Sequence, residues 1–554
     1  MDLLRKISFV FALLAFMNVA HSVELPPGLT LGNPSAPSGG TLKIRFSGEP
    51  YSLNPIISDG YQTVEIQFYV LEGLLLQNEN TSQWQPWLAD DWKVGEDGKS
   101  YEFHIRENAY WSDGKPVTSE DVKFSFDVLY DDKFPTAHMR PYYDGIKRVV
   151  ALDRKRVRFE TKEKYYGNFI SSAGLPVVPK HFYGDAAKGP LIHRQILGSG
   201  PYVLEKWNEG RNIVLKKNPK WWGRADEIYA GKFKPQRVVF QFVADENVAF
   251  EMLKKGELDY MPLTAIQFEE ATRLEKAGAN FHTARIENSY PRSVSMIGFN
   301  MSRPLFQDRR LRLALAHLVD RDMMIEKFFY GATMKAKGPW YQQSEFADPR
   351  VEAIPFSPDR AFELLTEAGW KDEDGDGVLE KDLGNGLKTP LRFTLITANK
   401  QNERLLTVFK EDARQVGVDV QIKFLNQSAF GSVQQDGSFD AADLMASGGG
   451  LVEFNPKPQW HSKSLAPGGL NAVRYNEPRI DRLTERAVQI IDFKERVPVM
   501  REIYRKIAFD VPGIFLFNDR FDFYAYSNRV ERTAPTYGYD VGTKFWWIKE
   551  GAKK

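Results

Sequence analysis

The chain contains no cysteine. That excludes disulfide bridges, thiolate metal ligands and a lipid-carrying cysteine near the amino terminus. Neither sign of charge predominates. Lys and Arg total 74, Asp and Glu 73, for a formal net charge of +1. The basic excess or stripe expected of a nucleic-acid binder is missing, and net charge offers no long-range steering of a charged partner. The 8 histidines form neither an HExxH motif nor an i, i+4 pair, which argues against a catalytic zinc. Gly198-Ser199-Gly200 is one residue short of a G-x-S-x-G elbow and lacks its strand–Ser–helix setting. Carboxylate pairs such as Asp90-Asp91 are plentiful, yet sequence does not bring two together in a cleft, so an exported hydrolase stays as an alternative. No internal repeat or low-complexity tract is visible after residue 22. The apolar run Ile7 to Met17 is too short for a membrane span. With Arg5 and Lys6 before it and Ala20-His21-Ser22 after it, residues 1–22 read as a signal peptide cut after Ser22.

What is present is a long chain rich in core-forming residues. At 554 residues, 42% of them hydrophobic, two or three domains are expected. Aromatics make up 13%, enough to supply cores and to line a roomy pocket. Val23 to Gly40 is rich in Pro, Gly and Ser and reads as a loose lead-in. Gly40 to Phe46 alternates as a first strand, and Ser47 to Pro55 follows as a loop. The stretch Leu88 to Leu129 is the most ordered pattern. Tyr101, Phe103 and Ile105 alternate with Glu102, His104 and Arg106, the period of a half-buried strand. Asp113-Gly114 marks a turn. Thr118 with Asp121 gives a capping-box signal for a helix carrying Val122, Phe126 and Leu129 inward.

Further on, Asp308 is placed to cap a helix with Leu311, Leu315 and Leu318 on one face. Ser357-Pro358 opens another, with Ala361, Leu364, Leu365 and Ala368 inward and Gly369 as its stop. From Thr389 the order is strand, helix (Arg404 to Val416), strand, which argues for α/β layering. Asp372, Asp374, Asp376 and Gly377 occupy positions one, three, five and six of an EF-hand-like loop, but position twelve is Leu383, which cannot ligate. A solvated acidic turn is the better reading, and no metal or cofactor is expected.

The wording of these segments carries more than their periodicity. "LA..W…DG..Y.F.IR….W.DGKPVT.EDV..S" within Leu88–Leu129, the opening "GG.L……P..LNP", GSGPY followed by NP.WW within Gly198–Trp222, and "FN", Asp308, Arg310 and the AL..LVDRD..I run within Phe299–Ile325 resemble family 5 extracellular solute-binding proteins, the peptide, nickel and related receptors of ABC importers. The matching blocks span about Gly40 to Val530. The resemblance implies an α/β periplasmic-binding-protein-like clamshell of two lobes with an extra inserted domain, three domains in all, with mixed sheets flanked by helices. Mapped here, lobe one is 23–67, 198–300 and 505–554, the inserted domain 68–197, and lobe two 301–504. The chain would cross between lobes near Asn300 and again near Ala508, making a hinge.

The same resemblance implies a non-enzymatic, monomeric periplasmic receptor. It would deliver a ligand, most often an oligopeptide, to ABC permease transmembrane subunits, without inserting in the membrane and without nucleic acid. Family members for nickel complexes, haem, glutathione or oligosaccharides leave other ligands open. Phe439-Asp440 resembles the family's "[FY]D" just before the strand that contacts peptide, here Asp443 to Ser447. A peptide could add to that strand through main-chain hydrogen bonds, and glycine lets backbone approach a ligand closely. The implied ligand-binding residues are Tyr51 and Ser52 in the first loop, then Met445, Ser447, Gly448 and Gly449, then Glu453 and Trp460. Glu453 is either an anchor for a ligand ammonium or an ordinary loop carboxylate. Trp460 fits an apolar cleft wall and core packing equally.

Overall fold

The computed structural model describes residues 32–552 apart from 58–59, 385, 447–451, 467–468, 534–537 and 540. The signal-peptide reading of residues 1–22 therefore lies outside the described residues, as do Ser447, Gly448 and Gly449.

Two large mixed sheets organise the chain. The first has seven strands in the order Phe281–Ile286, Asp522–Ser527, Tyr260–Pro262, Thr41–Phe46, Arg237–Phe242, Asn212–Lys217 and Tyr202–Asn208. Its central strand Thr41–Phe46 buries Leu42, Ile44 and Phe46 while the intervening residues are half-buried, as the alternation requires. The second sheet has six strands, in the order Thr333–Lys335, Gly513–Asp519, Val294–Phe299, Ala441–Ala446, Arg392–Thr397 and Asp419–Phe424. Both of its faces are covered. Ile297, Phe299, Leu395 and Ile514 enter one core, and Met296, Ile396, Leu444 and Phe515 enter another. The strand–helix–strand reading after Thr389 corresponds to Arg392–Thr397, the helix Glu403–Gln415 and Asp419–Phe424, paired in parallel.

Sheet membership corrects the boundaries drawn from sequence. Val294–Phe299 and Gly513–Asp519 fall in segments assigned to lobe one, yet they pair with each other and belong to the six-stranded sheet. The chain passes between the sheets at 287–293 and at Arg520-Phe521, not near Asn300 and Ala508. Both segments are mostly apolar without a clear alternation, so periodicity could not say which sheet each would join. The two crossings are tied to each other. Arg520 Nε donates to Glu287 (3.0 Å), and Arg292 donates to Asp522 (2.7 Å).

A four-stranded antiparallel sheet (Ala89–Val94, Ser100–Ile105, Arg156–Thr161 and Ile146–Ala151) lies inside 68–197. Tyr101, Phe103 and Ile105 are all buried, and Thr118 and Asp121 close the expected capping box on the helix Ser119–Asp127. Tyr101, Phe103 and Val157 share one continuous core with Leu42, Ile44 and Phe46 of the seven-stranded sheet. The GSGPY motif explains part of that union. Gly200 N–H donates to the Val70 carbonyl (2.9 Å). A Cβ on Gly198 would stand 2.0 Å from the same oxygen. Gly198→Ala is therefore expected to destabilise the fold by about 1–3 kcal/mol through overpacking against backbone. Urea unfolding measures this, and an unchanged midpoint would contradict it.

Candidate functional site

Two adjoining open hollows, of about 1530 and 1080 Å³ with their mouths included, share Glu65, Tyr69, Tyr290 and Thr543. The smaller reaches Arg45, Phe46 and Ser47 at the end of the first strand, and Asp522 beside the second crossing. The larger takes in Pro291 of the first crossing and Val452, the residue before Glu453. The cavity therefore touches lobe one, the crossings, and the loop that follows Ala441–Ala446. Its wall carries aromatic faces from Phe68, Tyr69, Trp84 and Tyr290.

One buried ion pair lies in that wall. Lys232 Nζ is 3.0 and 3.2 Å from the two Glu79 oxygens, with both side chains almost fully enclosed. Burial alone would raise the Glu79 carboxyl, but Lys232 and Lys544 outweigh it and hold the group below its ordinary range. Lys544 Nζ also stands 5.5 Å from the Phe68 ring. Glu72, beside them, accepts from the indoles of Trp221 (2.9 Å) and Trp222 (3.0 Å), and burial pushes its carboxyl up.

The strand expected to receive a ligand has a half-open edge. Ala441–Ala446 pairs along its whole length with Val294–Phe299. On its other side the ladder with Arg392–Thr397 covers only Ala441 and Ala442. From Asp443 onward no strand among the described residues pairs on that side. The chain turns away after Thr397. Thr397 Oγ1 (2.8 Å) and Asn402 Nδ2 (2.9 Å) both donate to the Asp443 carboxylate, which burial raises. Phe439 and Asp440, read as a ligand-strand motif, anchor the strand's entrance. The Phe439 carbonyl accepts from Asn300 (2.8 Å) and Arg303 (3.0 Å), and Asp440 accepts from the Thr394 amide (3.0 Å).

The implied binding residues divide. Met445 is 63% exposed on the half-open strand, available for contact. Tyr51 is 84% exposed, so it does not form part of an enclosed wall; Ser47, four residues earlier, lines the cavity instead. Ser52 is not available to a ligand. It is buried, its Oγ donates to the His193 carbonyl (2.8 Å) and accepts from Asn54 N–H, which shapes the loop. Trp460 resolves toward core packing, buried against Tyr475 with ring centroids 6.0 Å apart.

Glu453 is not a free anchor either. It is buried and accepts from the fully enclosed Arg496, whose guanidinium also lies 3.8 Å over the Tyr166 ring and donates to the Ile490 carbonyl (2.8 Å). Burial raises the Glu453 carboxyl despite that partner. Next to it, Asn455 Nδ2 donates to Tyr165 Oη (3.2 Å). These contacts join the inserted domain to the loop after the half-open strand. The exposed carboxylates of Asp372, Asp374 and Asp376 come within 4.8 Å of one another. Each accepts from turn amides: Asp372 from Gly375 and Gly377, Asp374 from Asp376, and Asp376 from Val378. Sequence reasoning missed Glu79, Lys232 and Tyr290. Only Tyr290-Pro291 carried a signal, as a turn-like pair between two strand patterns.

The model of the bacterial extracellular solute-binding proteins, family 5 Middle, matches residues 83–460. The chain belongs to this family. It is a family of binding proteins, and the expectation drawn from the sequence motifs is met. Oligopeptide-binding protein AppA of Bacillus subtilis (strain 168) is 28% identical over 493 residues, 86% of each chain. The solved structure of AppA from Bacillus subtilis in complex with a nonapeptide matches at 25% identity with a TM-score of 0.65, covering 93% of this chain and 100% of that one. HbpA2 from Haemophilus parasuis matches at 19% identity and a TM-score of 0.76, covering 92% and 100%, a likeness of fold. The two-lobe clamshell with an added domain is thus the architecture of this solute-binding protein. Among the described residues no helix is long and apolar enough to cross a membrane.

Proposed function

We propose that this solute-binding protein is a periplasmic receptor that captures an oligopeptide between its lobes and passes it to an ABC permease. The observation that carries the reading is the half-open edge from Asp443 to Ala446. An extended peptide laid there satisfies main-chain donors and acceptors without demanding particular side chains. The open hollow of about 1530 Å³, which reaches Val452 in the loop after that strand, offers room for a ligand, and its aromatic wall suits apolar groups. The relatives whose names state oligopeptide binding support the ligand class. The leader-like residues 1–22 support export to the periplasm. Met445, Ser447, Gly448 and Gly449 are the proposed contacts of the strand and the segment after it. The two tied crossings are the proposed hinge, with transport driven by the partner's ATPase rather than by chemistry at this site.

Native mass spectrometry of the protein purified without refolding tests this. The expected result is a stoichiometric, non-covalent peptide mass. Retention of a metal complex, a tetrapyrrole or a sugar would replace the peptide with another of the family's ligand classes. Turnover of peptides without retention would favour the hydrolase.

A further inference from the structure

Three cations gather where the seven-stranded sheet meets the NP.WW turn. Ile213, Leu215 and Lys217 share one face of the strand Asn212–Lys217. The first two are buried in the core of that sheet, and Lys217 continues the same face at its rim, half-buried. The chain then folds back on itself. Trp221 N–H donates to the Asn218 carbonyl (3.3 Å), and the Trp221 and Phe233 ring centroids lie 5.6 Å apart. This packing brings two more cations to the rim: Arg224, whose guanidinium donates to the Pro219 carbonyl (3.5 Å), and Lys234, the residue after Phe233. Lys217 N–H donates to the Gln236 carbonyl (2.9 Å) and closes the group from the other side.

These charges are uncompensated. Lys234 is more than nine-tenths buried, yet its Nζ donates only to the Pro34 carbonyl (2.8 Å), one partner for three donors. Lys217 Nζ has no hydrogen-bond or ion-pair partner among the described residues, and it is open to solvent rather than sealed, so a ligand can reach it. Burial, then the like charges of Lys234 and Arg224, pull the Lys217 ammonium below its ordinary range. Acids close by are engaged with other cations. Asp226 lies 3.5 Å from Arg106, and Glu205 pairs with Arg237 (2.6 Å). Like charges held together away from bulk water repel one another, and a bound anion would relieve that cost.

We propose that Lys217, Lys234 and Arg224 form an anion site on lobe one that takes a phosphate group. Two ammoniums supply point charges and the guanidinium a planar fork, donors that phosphate oxygens accept. A phosphate presents oxygens in several directions, which suits three cations set around one rim. None of the three lines the cleft hollows, so the site goes beyond solute capture and does not depend on the peptide reading. The phosphate is either a free anion or the headgroup of a phospholipid.

The test uses the full chain and two probes, inorganic phosphate and vesicles containing phosphatidylglycerol. Lys217→Met keeps the apolar stem and removes the charge. In phosphorus NMR titrations it is expected to bind inorganic phosphate roughly tenfold more weakly than wild type, the loss of one charge-assisted hydrogen bond. Lys216→Met makes the same change of charge on the outward face of the same strand and should bind as wild type does. In chloride buffer of matched ionic strength Lys217→Met should be at least as stable as wild type, because the repulsion is gone. Phosphate should then raise the unfolding midpoint of wild type and not that of the variant. Cosedimentation with the vesicles, lost in Lys217→Met and kept in Lys216→Met, assigns the site to a lipid headgroup. Phosphate binding without cosedimentation assigns it to the free anion. A wild type that binds neither probe would overturn the site. So would equal weakening by the two substitutions, which is the mark of net charge alone, or a Lys217→Met destabilised alike in both buffers, which is the mark of a structural lysine.

Discussion

Lys232→Met is expected to cost the fold about 3–5 kcal/mol at neutral pH, the penalty for stranding a buried carboxylate by removing its partner. Glu79 is nearly enclosed, both its oxygens face the Lys232 ammonium, and the Tyr229 and Phe545 rings flank that ammonium at 6.0 and 4.9 Å. The double change Glu79→Gln with Lys232→Met should recover most of the loss, because the desolvated charges leave together. The pH dependence has a definite sign. Glu79 sits below its ordinary value of 4.5 in the folded protein, so its contribution is present above about pH 4.5 and is lost as pH falls through the depressed folded value. In Lys232→Met the carboxylate has lost the larger of the two attractions that held it ionised, with Lys544 remaining, so the deficit against wild type should shrink on acidification. Urea unfolding from pH 7 down to pH 4 measures both. A deficit below 1 kcal/mol at pH 7, or one that grows toward acid, would sink the assignment of this pair as a held charge in the cavity wall.

Arg496→Met should be comparably damaging, again about 3–5 kcal/mol, and should also alter shape. The guanidinium holds the Glu453 carboxylate, stacks on Tyr166 of the inserted domain and donates to the Ile490 carbonyl. Tyr166→Phe keeps the ring and is expected to be mild. Arg496→Lys keeps the charge but loses the flat stacking surface and should fall between the two. The loss of a contact between the inserted domain and the loop at 453–455 should enlarge the radius of gyration of the folded variant in small-angle scattering. An unchanged radius would deny these contacts any part in holding the lobes together. The pH sign is opposite to that of Glu79. Burial raises the folded Glu453 carboxyl, so the stabilisation it gains on protonation is present below about pH 4.5 and is lost as pH rises through the raised folded value.

How far the sequence reached depends on the range of the interaction involved. The strand Ser100–Ile105, the capping box at Thr118 and the Asp308 and Ser357 caps are set by residues within one or two turns of each other, so they were legible from periodicity and cap chemistry. GSGPY was legible as wording, but its reason was not. Only the fold brings the Val70 carbonyl against Gly198, which leaves no room for a Cβ. Family and architecture followed from such wording spread along the chain.

Among the candidate site residues, the sequence could not tell which side chains the fold would consume. Ser52 spends its hydroxyl on His193, 141 residues away, and Glu453 spends its carboxylate on Arg496, 43 residues away. Neither partner leaves a local trace. Trp460 finds Tyr475 and the second sheet's core by packing that no period announces. The apolar strands Val294–Phe299 and Gly513–Asp519 could have joined either sheet, and long-range pairing decided. The sequence by itself determined the local elements, the caps and the family. The tertiary structure alone decided which polar groups are consumed by the fold and which stay open to a ligand, because a buried donor or acceptor takes whichever partner folding brings within hydrogen-bond reach.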